Sequence, residues 1–268
     1  MRKTLLLSAV LAGVLGIVAV AYAANTYSVT IASVTPTKTG TLAHPHPERI
    51  QFGYAVGSTD GNRPKVTTDY RIAFGPGVVQ NSKLKATKTR FAFAQCKASA
   101  ASTNSCPTST RVGSGIVKNL AGLQSTPSQQ IPCQLTLTIF NGDGKLFPPS
   151  QNDGRSVRED LWLGLKGQPP ACPLVVNAAI PAQFVRFGGG TALTFHVTKV
   201  PFQQPQTGVD NAVVNVTSSI YKIARVKGKV RGFFESTKCP KGGRPINVRF
   251  TDTSGATFNA SKIAPCTK

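Results

Sequence analysis

Acidic and imidazole-bearing residues are scarce in this sequence, and their scarcity sets the first limits on function. The 268 residues hold 10 Asp and Glu against 31 Lys and Arg, a formal charge of +21, with three His, one Met and one Trp. So few soft or imidazole ligands argue against a cytosolic metalloenzyme. A hydrophobic content of 40% with only 15% charged residues excludes a wholly disordered chain.

Motifs for metal binding, redox chemistry and nucleophilic catalysis are also missing. No C-x-x-C pair occurs and no His lies near a Cys, which argues against a zinc site and against dithiol redox catalysis. The segment Gly113-Ser114-Gly115 lacks the glycine that a hydrolase nucleophile elbow needs at position 112. We therefore expect no metal, no cofactor and no catalytic residues.

The N-terminus has the three parts of a secretory signal peptide. A positive region at Arg2 and Lys3 precedes an apolar run over residues 5–20, and Ala21-Tyr22-Ala23 supplies the small residues needed for cleavage. We predict a signal-peptide helix over residues 1–23. The alternative is an uncleaved anchor, for which the apolar run is at the lower length limit.

Six cysteines in an exported chain predict three disulfides, because thiols oxidise outside the cell. The nearest-neighbour scheme is the most economical, since each pair then closes one local unit, although other pairings stay open. It joins Cys96 to Cys106, Cys133 to Cys172 and Cys239 to Cys266. Each loop would stabilise the fold by about 3 kcal/mol.

Apolar residues alternate with polar ones in many short segments, whereas helical periodicity is nearly absent. The alternation is clear over residues 50–56, 70–74, 134–139, 161–165, 193–198 and 246–250. Turns rich in Gly, Pro, Asn and Asp separate these segments, as is typical of half-buried antiparallel strands. The sequence therefore predicts an all-β fold, an antiparallel β-sandwich or jelly roll with disulfides.

The chain that follows the signal peptide is predicted to be one large domain with a short arm before it. Residues 24–47 contain three prolines and are interpreted as an N-terminal arm, and residues 48–268 as the β-sandwich domain. A sub-boundary near residues 201–205 stays open. Trp162 faces away from the leucines of its strand, so it either fills the second face of a central strand or lies exposed as a platform for sugars.

Three motifs together carry a family resemblance. They are Cys-Pro-x-Ser-x-x-Val-Gly at residues 106–113, Gly-Val-Asp-Asn-Ala-Val-x-Asn-Val-Thr at residues 208–217, and Phe-Glu-Ser-x-Lys-Cys-Pro-Lys-Gly at residues 234–242. With the closing Cys266, they resemble a group of secreted all-β proteins of soil actinobacteria. The resemblance covers roughly residues 90–266. It implies the disulfide pattern and a location outside the cell, and it carries no assigned catalytic residues.

Four basic residues give the strongest functional signal in the sequence. On a regular strand Arg225, Lys227, Lys229 and Arg231 would share one face at intervals of about 6.6–6.8 Å. Such a stripe attracts phosphates or carboxylates. One alternative is a solvated edge strand that its charge protects from aggregation. Another is that the nearby glycines bulge the strand and break the stripe.

Four of the ten acidic residues lie close together in the sequence. Asp143, Asp153, Glu159 and Asp160 lie within eighteen positions of one another. Such a group could ligate Ca²⁺ or supply the acid and base of a glycosidase, although the spacing does not match an EF-hand loop. The plainer interpretation is a polar loop rich in turns. His196 falls on the polar face of its strand.

We therefore expect a secreted, non-enzymatic β-sandwich protein located outside the cell or at the cell wall. It would bind an anionic cell-wall or extracellular polymer through the basic stripe. We expect no specific nucleic-acid partner and no membrane association after signal cleavage. The alternatives are an extracellular carbohydrate-binding or carbohydrate-active protein, and a structural module whose charge maintains solubility.

Overall fold

A computed structural model describes residues 23–268 and contains antiparallel strands joined by turns and short helical segments. The predicted signal peptide, residues 1–23, lies outside the described residues except for Ala23. In the part of the chain that is described, no helix is long and apolar enough to cross a membrane.

Strands account for most of the described residues. They are β1 (Asn25–Thr35), β2 (His46–Ser58), β3 (Thr67–Pro76), β4 (Val78–Gln80), β5 (Arg111–Leu123), β6 (Ile131–Asn141), β7 (Leu146–Phe147), β8 (Val157–Arg158), β9 (Leu161–Gly167), β10 (Val176–Phe187), β11 (Gly190–His196), β12 (Val209–Ile220), β13 (Ile223–Val226), β14 (Lys229–Gly232), β15 (Phe234–Ser236), β16 (Arg244–Asp252) and β17 (Thr257–Ala264). The helical segments are α1 (Ala98–Ala101) and single turns at Thr108–Thr110, Pro149–Gln151 and Lys199–Gln203. The predicted all-β class is confirmed.

One large sheet forms the body of the fold. Its strand order is β17-β16-β3-β11-β10-β9-β6-β5-β12-β2-β15-β4, and β1 pairs with the other side of β2. The sheet curls over itself, so that Tyr54 of β2 meets Tyr70 of β3 and Phe250 of β16, with ring centroids 5.5 and 5.3 Å apart. Two layers thus enclose one core, as in a sandwich.

Strict alternation decides which side chains enter that core. In β3, Tyr70, Ile72 and Phe74 point inward and are buried, while Asp69, which precedes them, and Arg71 point outward. The neighbouring strands β11 and β16 repeat this pattern. The outer faces of β10, β11, β3 and β16 therefore form one surface, which is polar along Gln183, Thr194, Arg71 and Arg249 and apolar along Val185, Ala192 and Ala73.

Three disulfides hold the loops to the sheet. They join Cys96 to Cys106, Cys133 to Cys172 and Cys239 to Cys266. This is the nearest-neighbour pairing expected from the sequence. The second bond ties the beginning of β6 to the loop between β9 and β10, and the third ties the loop after β15 to the chain after β17.

The segment predicted to be an arm, residues 24–47, needs correction. Its first half is β1, which has 11 residues and pairs along β2 from Asn25 to Thr35. Val29 and Val34 of β1 are both buried in the main core although they are five residues apart, because a β-bulge between Val29 and Ile31 shifts the alternation. Near the suggested sub-boundary at 201–205, Phe202 packs into the same core.

Candidate anion-binding face

The four basic residues of the predicted stripe do not share one face. Residues 223–232 form a hairpin of β13 and β14 instead of one continuous strand. Lys227 and Gly228 both have positive φ, 49° and 76°, and make its two-residue turn. Because the chain reverses there, Lys227 is in the turn while Arg225 lies on the opposite face from Lys229 and Arg231.

One of these four cations, Arg231, also forms an ion pair within its own segment. Arg231 donates two hydrogen bonds to the buried carboxylate of Glu235, at 2.6 and 2.7 Å. The prediction that these four residues form a single binding surface is therefore wrong. The Lys-Gly dipeptide, which occupies the position where Asn-Gly is common, was the signal for a hairpin.

A different set of polar side chains is aligned across the outer face of the large sheet. Cross-strand register places Gln183, Thr194, Arg71, Arg249 and Asn259 side by side, one from each of β10, β11, β3, β16 and β17. We call this set the polar row. Neighbouring strands lie about 4.8 Å apart, so the row extends for about 19 Å.

Two arginines lie directly opposite each other at the centre of the polar row. Arg71 of β3 and Arg249 of β16 are cross-strand partners, and like charges in that arrangement are destabilising. Within residues 23–268 neither guanidinium forms an ion pair with a carboxylate. Arg71 instead lies over the ring of Phe187, with Cζ 4.3 Å from the centroid. A bound anion would offset the repulsion between the two arginines.

The acid on β3 that is nearest in sequence to Arg71 already has other hydrogen-bond partners. Asp69, two residues before Arg71, accepts hydrogen bonds from Thr68 Oγ1 at 2.7 Å, from His196 Nδ1 at 3.0 Å and from Arg155 Nη1. Burial raises the pKa of Asp69, but these hydrogen bonds and the two nearby cations outweigh burial and hold it below its usual value. Asp69 thus stays ionised and neutralises His196 and Arg155 rather than Arg71.

His196 lies between two carboxylates. Its Nδ1 contacts Asp69 and its Nε2 contacts Asp153 Oδ2 at 3.1 Å, while the Lys199 backbone N–H donates to the same Asp153 oxygen at 2.7 Å. Burial lowers the pKa of His196, but the two hydrogen bonds outweigh burial and raise it above its usual value. Because both ring nitrogens contact carboxylates, neither is available to activate a serine.

Two pockets open on either side of the arginine pair, and Arg71 and Arg249 line both of them. The first has a volume of about 290 Å³ and continues to Gln183, Thr194 and the Asp69–His196 network. The second has a volume of about 250 Å³ and is completed by Ala73, Phe187, Asn247 and Asn259. The face therefore combines two guanidiniums that have no carboxylate partner among the described residues with neutral hydrogen-bonding groups, one aromatic ring and, in the first pocket, the network of Asp69, His196 and Arg155.

The four acids that cluster in the sequence do not form one site. Asp153 belongs to the His196 network, and Asp160 is bound by Arg158 at 2.6 Å and by the Phe184 backbone N–H at 2.9 Å. Among the described residues, no group of three or more His, Cys, Asp or Glu side chains is placed to hold a metal ion.

The remaining two acids form a carboxyl pair. Burial, together with the neighbouring Asp143 carboxylate and a hydrogen bond to it, raises the pKa of Glu159 to about 7. The two carboxyl groups are therefore coupled electrostatically, and Asp143 also pairs with Lys145, whose Nζ lies 3.7 Å from Asp143 Oδ2.

Trp162 is fully buried. It packs edge-on against Phe147, with centroids 5.2 Å apart, in a second core cluster on the outer side of β9. The expectation that it fills the second face of a central strand is confirmed, and it is not a platform for sugars.

Sequence reasoning missed Arg71, Arg249 and Phe187. Both arginines lie on the polar faces of strands whose alternation was recognised, but a single charged residue on a polar face carries no signal by itself. No family model matches the chain, and no curated protein is significantly similar to it.

Proposed function

We propose that this is a secreted protein that binds an anionic polymer of the cell exterior through Arg71 and Arg249. The observation that carries the proposal is the directly opposed arginine pair, which has no carboxylate partner among the described residues. The disulfide-rich all-β fold supports secretion, because such bonds persist in oxidising compartments.

Guanidinium groups suit this role. Each presents a planar fork of donors that matches a carboxylate or phosphate in a bidentate manner. The formal charge of +21 attracts a polyanion over long distances, while the arginine pair gives it a defined place to bind. The protein acts by binding alone, which fits an imidazole engaged on both ring nitrogens.

The test compares two double variants that remove the same amount of charge. Arg71→Gln with Arg249→Gln removes the arginine pair, and Lys227→Gln with Lys229→Gln removes two exposed cations of the hairpin. Binding to polygalacturonate and to polyphosphate is measured at low and physiological salt. Two charged hydrogen-bonding groups contribute about 3 kcal/mol or more, so the first variant should bind about 100-fold more weakly.

The hairpin variant should lose less than about fivefold, since exposed charges act weakly. Equal losses in the two variants would mean that net charge alone attracts the polymer, and the proposed site would be wrong. Binding that does not weaken with salt would also count against it. The polymer should be recovered without new reducing ends; their appearance would overturn the assignment as a binding protein.

A further inference from the structure

The arginine pair is bordered by an aromatic ring and by neutral amides, which a purely cationic patch would not need. Phe187 is 40% exposed although it is large and apolar, and it lines the second pocket beside both arginines. Asn247 is half-buried and Asn259 is exposed on the same wall. The arrangement combines charge with a stacking surface and with groups that both donate and accept hydrogen bonds.

These groups discriminate between two kinds of anionic polymer. A polyphosphate chain presents only anionic and bridging anhydride oxygens, so it would use the arginines and gain nothing from the ring of Phe187. A sugar ring has an apolar face that packs on an aromatic ring, and hydroxyls that pair with amide N–H and C=O groups. A carboxylated sugar would use all three kinds of group at once.

We infer that the ligand is an acidic polysaccharide, with a sugar carboxylate held between Arg71 and Arg249 and a sugar ring against the exposed part of Phe187, beside the Arg71 guanidinium that lies over this ring. This inference rests on the proposed function and names the chemistry of its ligand. The two pockets share the arginines and lie on opposite sides of them. Consecutive sugar units would therefore occupy the two pockets on either side of the bound carboxylate.

The first experiment separates stacking from charge. Phe187→Ala should weaken binding to polygalacturonate about tenfold and change binding to polyphosphate less than twofold. Phe187→Tyr should restore polygalacturonate binding. The matched control is Tyr221→Ala, because Arg49 lies over that ring in the same manner at 5.3 Å, away from the polar row; it should change neither affinity.

The second experiment measures length dependence with galacturonate monomer, dimer and tetramer. Affinity should increase at least tenfold from monomer to dimer as the second pocket fills. Equal affinities per molecule for monomer and dimer would overturn the two-pocket arrangement.

The outcomes distinguish this inference from the proposed function. If Phe187→Ala weakens binding to both polymers equally, or to neither, the saccharide inference is wrong. In that case a large loss in the double arginine variant still supports anion binding at this face. If neither polymer binds to the unmodified protein, the proposed function itself fails.

Discussion

Removal of one partner from the buried ion pair between Arg244 and Glu48 should destabilise the fold severely. Arg244 Nη1 lies 2.8 Å from Glu48 Oε2, and the side chains are 0% and 1% exposed. Arg244 also donates to Ser236 Oγ at 2.8 Å and to the Lys238 carbonyl at 3.1 Å. One guanidinium thus links β16 to β2 and to β15 at the end of the sandwich.

The magnitude follows from what each substitution leaves behind. Arg244→Met leaves the Glu48 carboxylate in the core without a cation, which costs about 3–5 kcal/mol. Burial raises the pKa of Glu48 even with Arg244 beside it, so the pKa rises further when the cation is lost. A carboxyl group whose pKa is raised in the folded state destabilises the fold as pH rises through that pKa. The variant should therefore be closer to the parent at pH 4 than at pH 7.

Urea denaturation of the two single variants and the double variant, Arg244→Met with Glu48→Gln, measures this directly. The double variant should be more stable than Arg244→Met alone, because no unpaired charge remains in the core. A loss below about 1 kcal/mol for Arg244→Met at pH 7 would refute the reasoning. So would a double variant whose loss equals the sum of the two single losses.

Three further predictions concern other parts of the fold. Glu159→Gln should match the parent at pH 4 and exceed its stability at pH 8 by at most about 3 kcal/mol, because a folded-state pKa of about 7 costs stability as pH rises through it; a difference independent of pH would contradict this. Replacing Cys133 and Cys172 by Ala opens a loop with a separation of 39 residues and should cost about 4 kcal/mol in urea denaturation, whereas a loss under 1 kcal/mol would argue against this bond as a major restraint. Lys227→Asn should stabilise the hairpin turn by about 0.5 kcal/mol, since Asn tolerates positive φ better than Lys, and a lower melting temperature would contradict that assignment of the turn.

Local alternation was sufficient to predict most of the strands that build the candidate face. Residues 70–74, 193–198 and 246–250 fall largely within β3, β11 and β16, because a period of two residues depends only on which side chains a strand buries. Nearest-neighbour disulfide pairing was also predictable, since each bond closes a short stretch of chain.

Alternation was misleading where the chain reverses direction. Between residues 223 and 232 the basic residues keep an even spacing across Lys227 and Gly228, so the pattern is the same for one strand and for a hairpin. The spacing alone cannot separate the two possibilities, whereas the Lys-Gly dipeptide indicates a turn and the pairing of Val226 with Lys229 shows the hairpin. The prediction of an arm over residues 24–47 was wrong for a related reason, because β1 is a strand through its pairing with β2, which the local sequence does not show.

The sequence by itself determined the strand-rich class, the large positive charge and the inward or outward direction of the side chains in each clearly alternating strand. Tertiary structure alone decided which outward side chains meet. Arg71 faces Arg249, and Asp69 meets a histidine 127 residues away, because strand order and register set those neighbours. Register is fixed by burial of the whole apolar face of each strand, so no local segment contains the information that places two arginines side by side.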